Sequence, residues 1–358
     1  MIGVAVGGFE YPPYGIIHSV YVKLVPPKID ISDPVDSHYK EVDVLSLVHI
    51  HNETDLIAKR QSVVNYIWKQ DGFPHDKMPS KIEKNISDER FSDLNNLAKM
   101  DKITILMDYG VDSKAYLFVA TKSNGKLVIY HQGHDGDFVL GKDTIQYFLD
   151  HNYSVLAISM PLLGQNSQPT VRLPSFGILK LDSHDDLRFV ESGDLSPIKF
   201  FMEPITESLN YVDKEYKFSS YNMVGISGGG WTTVLYSAID PRISKSYPVA
   251  GSAPMYLRFN NPKNMGDYEQ MLPRLYETAD YLDLYILGSY GEGRGQLQIF
   301  NKYDPCCFSG TGFTTYENQI KQEISNLGKG RFDVFLDENN KKHSISEESL
   351  KIILNDMS

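Results

Sequence analysis

The sequence predicts an α/β fold: a mostly parallel central sheet with helices on both faces and an antiparallel edge. Three observations predict it. From about residue 100 onward, short apolar and β-branched runs alternate with helical stretches, the pattern of repeated βαβ units. The first of these runs are joined by a turn too short for a crossover, so they pair antiparallel. The segment Tyr221–Trp231 then reads, in succession, as an apolar strand, a tight glycine-flanked turn and the start of a helix.

Residues 1–100 are expected to form an N-terminal extension packed on a core of residues 101–358. Within it, Val42–Ile50 fits a strand and Thr54–Trp68 an amphipathic helix, and the stretch from Pro74 through Lys81 to Asp88 reads as a surface connection. Strands are expected over Ile103–Met107 and Ala115–Ala120, joined by the Tyr109–Asp112 turn. After the hairpin-type turn Ser123-Asn124-Gly125, a strand over Leu127–Tyr130 leads into His131-Gln132-Gly133-His134-Asp135-Gly136. A helix over Thr144–His151 and a buried strand over Ser154–Ile158 follow. Beyond a polar insertion at about 165–199, the pattern predicts a helix over Phe200–Lys214, the Tyr221–Ile226 strand, a helix from Thr232 to Ile239 and a strand over Ile243–Val249. A second insertion covers about 252–282. Leu297–Phe300 and Phe332–Leu336 read as the last strands, and Leu350–Leu354 lies in a final helix.

The chain has 358 residues and a formal net charge of −11, spread along its length. That balance argues against a nucleic-acid or anionic membrane partner. No apolar run approaches the roughly 20 residues of a membrane span, and the stretch Met1–Glu10 lacks a basic start and an apolar core, so no secretory signal is expected and the cytoplasm is the default compartment. Oligomeric state is not legible. The two cysteines, Cys306 and Cys307, are adjacent. They close no loop, so two reduced thiols are expected in preference to a strained vicinal disulfide.

The chemistry is carried by Gly225-Ile226-Ser227-Gly228-Gly229, a G-x-S-x-G pattern between strand and helix. Glycines on both flanks allow a turn too sharp for side chains and lift the serine hydroxyl clear of the sheet. The alternative is that Ser227 merely caps the helix. A serine hydroxyl needs an adjacent base, and that base an orienting carboxylate. Of the ten histidines only His343 follows Ser227, in a polar loop between the last strand and the last helix. Asp304 follows the Leu297–Phe300 strand. Glu292 is a rival acid, since it also follows an apolar run, Leu284–Leu287. Carboxyl ends of strands are where open α/β sheets assemble their sites.

With these residues in place, the chain resembles the α/β-hydrolases over roughly residues 100–358. His131-Gln132-Gly133-His134 resembles the His-Gly loop after the third strand of that fold, Met160–Asn166 the loop after the fourth, and Asn301-Lys302-Tyr303-Asp304-Pro305 the turn that carries the family's acid. The glutamine after the first histidine departs from the family's usual glycine, and leaves the register of the oxyanion loop open by one residue. The resemblance implies Ser227 as nucleophile, Asp304 as acid and His343 as base. It also implies an oxyanion hole built from Gly228 with Gly133 or His134. Gln132, Asp135, His184 and Trp231 are the candidates for substrate contact.

Two other constellations are weak. His49, His51 and Glu53 alternate as on one strand face but lack a third well-spaced ligand, so no metal is expected. Gly7-Gly8 and Gly291–Gly295 lack the strand–helix context of a phosphate loop, so no nucleotide cofactor is expected.

The stretch Lys59–Trp68 leading to Gly72-Phe73-Pro74 resembles an N-terminal helix of some carbohydrate acetyl esterases. The expected function is therefore a serine esterase acting on short-chain, acetyl-type esters of a small molecule or carbohydrate, with the two insertions as a cap. The alternatives are a serine peptidase of the prolyl-oligopeptidase type, for which residues 1–100 are too few to build the usual propeller, and a catalytically inactive binding module.

Overall fold

The computed structural model describes residues 37–258 and 264–358, all within one unit, Val35–Ser358. The readings of Met1–Glu10 and Gly7-Gly8 lie outside the described residues, as do residues 259–263 of the second insertion.

Eleven strands run in chain order: β1 Lys81–Glu83, β2 Leu97–Leu106, β3 Asp112–Ala120, β4 Lys126–His131, β5 Ser154–Ile158, β6 Thr170–Leu173, β7 Gly177–Lys180, β8 Ser220–Ile226, β9 Ile243–Val249, β10 Gly295–Asn301 and β11 Phe332–Asp337. Nine form one sheet, ordered β1-β2-β3-β5-β4-β8-β9-β10-β11, and β6-β7 form a separate hairpin within the first insertion. Pairing is antiparallel from β1 to β5 and parallel from β5 to β11. This is the mixed sheet the sequence predicts.

The topology locates the site. The chain leaves β4 for β5 on one side, and then returns to lay β8 on the other side of β4. The strand order therefore reverses between β4 and β8, and a crevice opens at the carboxyl ends of these two strands. The loop that follows β4 starts at Gln132, and the turn that follows β8 is Ser227.

Side-chain alternation fills both faces of the sheet. Leu127, Ile129, Leu156, Ile158 and Met223 point to one core. Val128, Tyr130, Val155, Ala157 and Val224 point to the other. The principal helices are α1 Glu53–Trp68, α2 Lys142–Asp150, α3 Lys199–Glu215, α4 Gly228–Ile239, α5 Tyr281–Ser289, α6 Glu317–Leu327 and α7 Glu347–Met357. Helices α1, α3, α4, α5 and α6 cover the first face, and α2 and α7 the second.

Three local expectations are corrected. Val42–Ile50 is not a strand, because Asp43 caps a single 3-10 turn over Val44–Leu47. The connection after Pro79 includes β1, which pairs with β2 at the sheet edge. The apolar run at Leu284–Leu287 lies inside helix α5, started by the Asp280 carboxylate accepting from the Asp283 amide. A short apolar run has no period of its own to separate strand from buried helix.

Two arginines bind the helices together from below. Arg60 on α1 donates to Ala238 O at 2.9 Å and Leu287 O at 3.1 Å. Arg294 is buried and donates to Ser237 O at 2.6 Å, Tyr290 O at 2.8 Å and Ile243 O at 2.9 Å. Both place cationic donors on carbonyls at the C-terminal ends of α4 and α5, where charge and unpaired acceptors favour them. Burial draws the Arg294 guanidinium down to about 10.

Replacing Arg294 with Met should strip these carbonyls of their donor and destabilise the fold by about 3 kcal/mol, the usual penalty for buried groups left unpaired. Denaturant unfolding measures it, and a loss under about 0.5 kcal/mol, the range of surface substitutions, would show that the arginine does not hold the helices.

Candidate active site

Ser227 occupies the turn between β8 and α4 with φ 57° and ψ −124°. A non-glycine residue there is strained by about 1–3 kcal/mol, and glycine neighbours are what make the turn feasible. A Cβ on Gly225 would lie 2.1 Å from Gly229 O, and one on Gly229 would lie 2.1 Å from His131 O. The pattern G-x-S-x-G is thus a steric requirement: strand, turn and helix touch through bare backbone. The Ser227 side chain forms no cap for α4, which removes the capping alternative.

The loop after β4 lies against this turn. A Cβ on Gly133 would sit 2.7 Å from Ser227 Cβ and 3.4 Å from its Oγ, so the Gly133 backbone faces the hydroxyl. The His134 ring lies on Gly228, whose Cβ would meet His134 Cε1 at 2.4 Å. As the first residue of α4, Gly228 carries an amide without an intrahelical acceptor.

His343 and Asp304 come together from the ends of β11 and β10. His343 Nδ1 lies 2.9 Å from Asp304 Oδ2 and 3.0 Å from Oδ1. A carboxylate only accepts, so Nδ1 carries the proton and Nε2 presents its lone pair. The Asp304 carboxylate is buried and also accepts from the Cys306 amide at 2.9 Å and Asn301 Nδ2 at 3.1 Å. Among the described residues no hydrogen bond joins Ser227 Oγ to His343. His343 Nε2 lies 4.0 Å from Cys307 Sγ. Catalytic hydrogen bonds often tighten only when substrate arrives.

The reasoning from sequence missed Asn301. Fully buried at the end of β10, its amide donates to Asp304, to Lys342 O at 3.3 Å and to Ser344 O at 3.1 Å, gripping the chain on both sides of His343. Asn340 closes the ring by donating to Asn301 Oδ1 at 3.0 Å and Ser344 O at 2.9 Å. A polar residue inside an apolar strand was the available signal.

Other candidates fall elsewhere. Glu292 is exposed and follows helix α5 instead of a strand, so it is no partner for His343. Gln132 is buried, donating to Asp135 at 2.6 Å and accepting from Tyr130, so its amide is engaged within the loop. Trp231 is buried against Phe201, with Nε1 donating to Tyr276 at 2.8 Å; it is core. Asp135 is exposed at the loop. His131, beneath the loop, donates through Nδ1 to Gln132 O at 2.9 Å, and burial draws its imidazole down to about 4, keeping it neutral.

His184, from the first insertion, meets the loop after β4. It stacks edge-on against His134 with ring centroids 5.0 Å apart. Between them sits Glu269, fully buried and 2.7 Å from His134 Nε2. Burial opposes charge on His134, but Asp267 and Glu269 outweigh it and push the imidazole up to about 10. Glu269 is held well below the usual carboxylate range, against its own burial, by His184 and His134.

The sequence expectation for Cys306 and Cys307 is also corrected: they form a vicinal disulfide. His49, His51 and Glu53 do not converge. His49 meets Asp283, which also pairs with Lys59 at 3.2 Å, while His51 lies near Glu323 and Glu53 accepts from Tyr290.

No protein-family model and no curated protein sequence matches the chain. Solved structures do. An acetyl xylan esterase from Paenibacillus sp. R4 superposes with TM-score 0.57 at 15% identity, over 90% of this chain and 98% of that one. Acetyl xylan esterase 1 from Thermoanaerobacterium sp. JW/SL YS485 gives 0.56 at 14% identity, over 90% and 98%. A glucuronoyl esterase from Solibacter usitatus gives 0.54 at 11%, over 85% and 92%. The chain has the α/β-hydrolase fold. Among the described residues no helix is long and apolar enough to cross a membrane.

The positioning role of Asn301 predicts that Asn301→Ala lowers kcat about a hundredfold, the usual cost of misplacing a reacting group, and leaves KM nearly unchanged. Steady-state kinetics decide, and a rise in KM at constant kcat would assign Asn301 to substrate binding instead.

Proposed function

We propose that the chain is a serine esterase that hydrolyses short-chain, acetyl-type esters, carried on a carbohydrate, through an acyl-serine intermediate. The observation that carries this reading is the strained serine at the strand–helix turn, with a His–Asp pair ending the next-but-one and outermost strands of the same parallel run. The names of the similar structures, acetyl xylan and glucuronoyl esterases, support ester chemistry on a sugar.

In this reading His343 Nε2 takes the proton of Ser227 as the hydroxyl attacks the ester carbonyl. The same proton then goes to the leaving alcohol. Asp304 stays ionised, holds the tautomer of His343 and stabilises the imidazolium that forms. The negative oxygen of the tetrahedral intermediate falls at the N-terminus of α4, where the Gly228 amide and an amide of the Gly133-His134 pair are its donors. Each such donor is worth about 2.7–4 kcal/mol in the transition state. Water repeats the attack on the acyl-serine, with His343 as base.

The insertions at about 165–199 and 252–282 both reach the loop after β4, through His184 and Glu269. They are the natural place for discrimination of the alcohol part.

The test is hydrolysis of p-nitrophenyl esters from acetate to octanoate, beside labelling by a fluorophosphonate. Rates should peak at acetate, and both turnover and labelling should vanish in Ser227→Ala. Asp304→Asn should lower kcat by about 10⁴-fold, the scale of losing the tautomer-holding acid, while Glu292→Gln should leave it unchanged. Labelling without ester turnover would move the reading to a peptidase of narrow specificity; absence of both would make the chain an inactive member of the fold.

A further inference from the structure

His134, His184, Asp267 and Glu269 come from three separate segments: the loop after β4, the first insertion and the second. Each offers one ligand atom, and these four atoms lie within 4.8 Å of one another. His134 Nε2 is 2.7 Å from Glu269 Oε1 and 2.9 Å from Asp267 Oδ2, and His184 Nδ1 is 3.3 Å from Glu269 Oε1.

The tautomer of His184 is settled by its surroundings. Its Nε2 lies 2.9 Å from Pro161 O, and a carbonyl only accepts, so Nε2 carries the proton. In the neutral ring Nδ1 is then a bare lone pair, directed at a carboxylate. The side chains of His184 and Glu269 are 7% and 0% exposed. His184 Nδ1 and Glu269 Oε2 are both buried without a hydrogen-bond partner. Two acceptor atoms buried without a donor are costly, and a cation bound at this carboxylate and imidazole removes the cost. Donation of the second ring N–H to a backbone carbonyl is also the usual support of a metal-ligating histidine.

We propose that these four residues bind one divalent transition-metal ion of the zinc class, in a structural site that ties the loop after β4 to both insertions. Two imidazoles and two carboxylates complete a tetrahedral set. Bonds of about 2.1 Å set ligand atoms about 3.4 Å apart, so the two closest pairs open by about 0.5 to 0.7 Å to admit the ion. The way in is acidic. A cavity of about 240 Å³ adjoins the cluster, with Asp182, Asp185 and Asp267 in its lining.

This site stands apart from the esterase reading, because metal is counted without substrate. The full chain, stripped with a chelator and dialysed, is titrated with zinc chloride by calorimetry, and bound zinc is counted by elemental analysis after gel filtration. The expected result is one zinc per chain, no competition from magnesium, and a higher melting temperature. Glu269→Gln and His184→Ala should weaken binding about a hundredfold, and Asp267→Asn, at the half-exposed rim, about tenfold, within the range seen for perturbed metal sites. Should the buried variants not fold, Asp267→Asn decides alone. Absence of stoichiometric zinc overturns the proposal. So does zinc that is retained in these variants and lost in Cys307→Ser, which would place the metal beside His343 instead.

Discussion

Backbone meets backbone where α4 crosses the ends of β4 and β8. Gly229 lies on the carbonyl of His131, and Gly225 on the carbonyl of Gly229, with no room for a Cβ at either contact. The approach sets Ser227 in its strained conformation and brings the Gly133 loop within touch of it. The strain of about 1–3 kcal/mol is small beside what the contact brings. Every residue of α4 is buried, including Trp231, Val234, Leu235 and Ile239, and each large apolar side chain contributes about 1.5–3 kcal/mol. Two of them offset the turn, and the rest hold it in place.

The Asp304–His343 pair follows a different rule. A carboxylate taken out of water needs donors for its lone pairs, and Asp304 has the Asn301 amide, the Cys306 amide and His343. Asn301 turns this local need into long-range order, because the same amide that satisfies Asp304 also satisfies two carbonyls of the His343 loop. Asp337, at the end of β11, accepts from the Asn339 and Asn340 amides and fixes the start of that loop. Two neighbouring strands are thereby stitched at their carboxyl ends by polar groups, beside the small apolar cluster of Phe300, Phe308 and Leu336.

What was legible in the sequence was whatever has a period or a steric signature. The main-sheet strands from Ile103 to Val249 stand out as apolar runs between helices and turns, the β6-β7 hairpin inside the polar first insertion does not, and Gly225–Gly229 announces its turn because no other residue fits. Chain order singled out His343. What was not legible depends on contacts between distant segments. The run Leu284–Leu287 reads equally as strand or buried helix, and only the Asp280 cap and packing against α4 decide it. Gln132 and Trp231 stand close to Gly133 and Ser227 in sequence, yet their side chains turn to Asp135 and Tyr276. His134, His184 and Glu269 lie far apart in sequence, and no spacing rule joins them.

That last cluster links both insertions to the serine turn. The His134 ring rests on Gly228, the residue whose amide the oxyanion would use, and its Nε2 is held by Asp267 and Glu269 of the second insertion. Glu269 in turn contacts His184 of the first insertion. A shift in either insertion therefore moves the ring, and the ring cannot move without changing the space over Gly228. An oxyanion donor misplaced by a fraction of an ångström loses much of its worth. Both insertions are thus mechanically joined, through the His134 ring, to the start of α4 at Gly228.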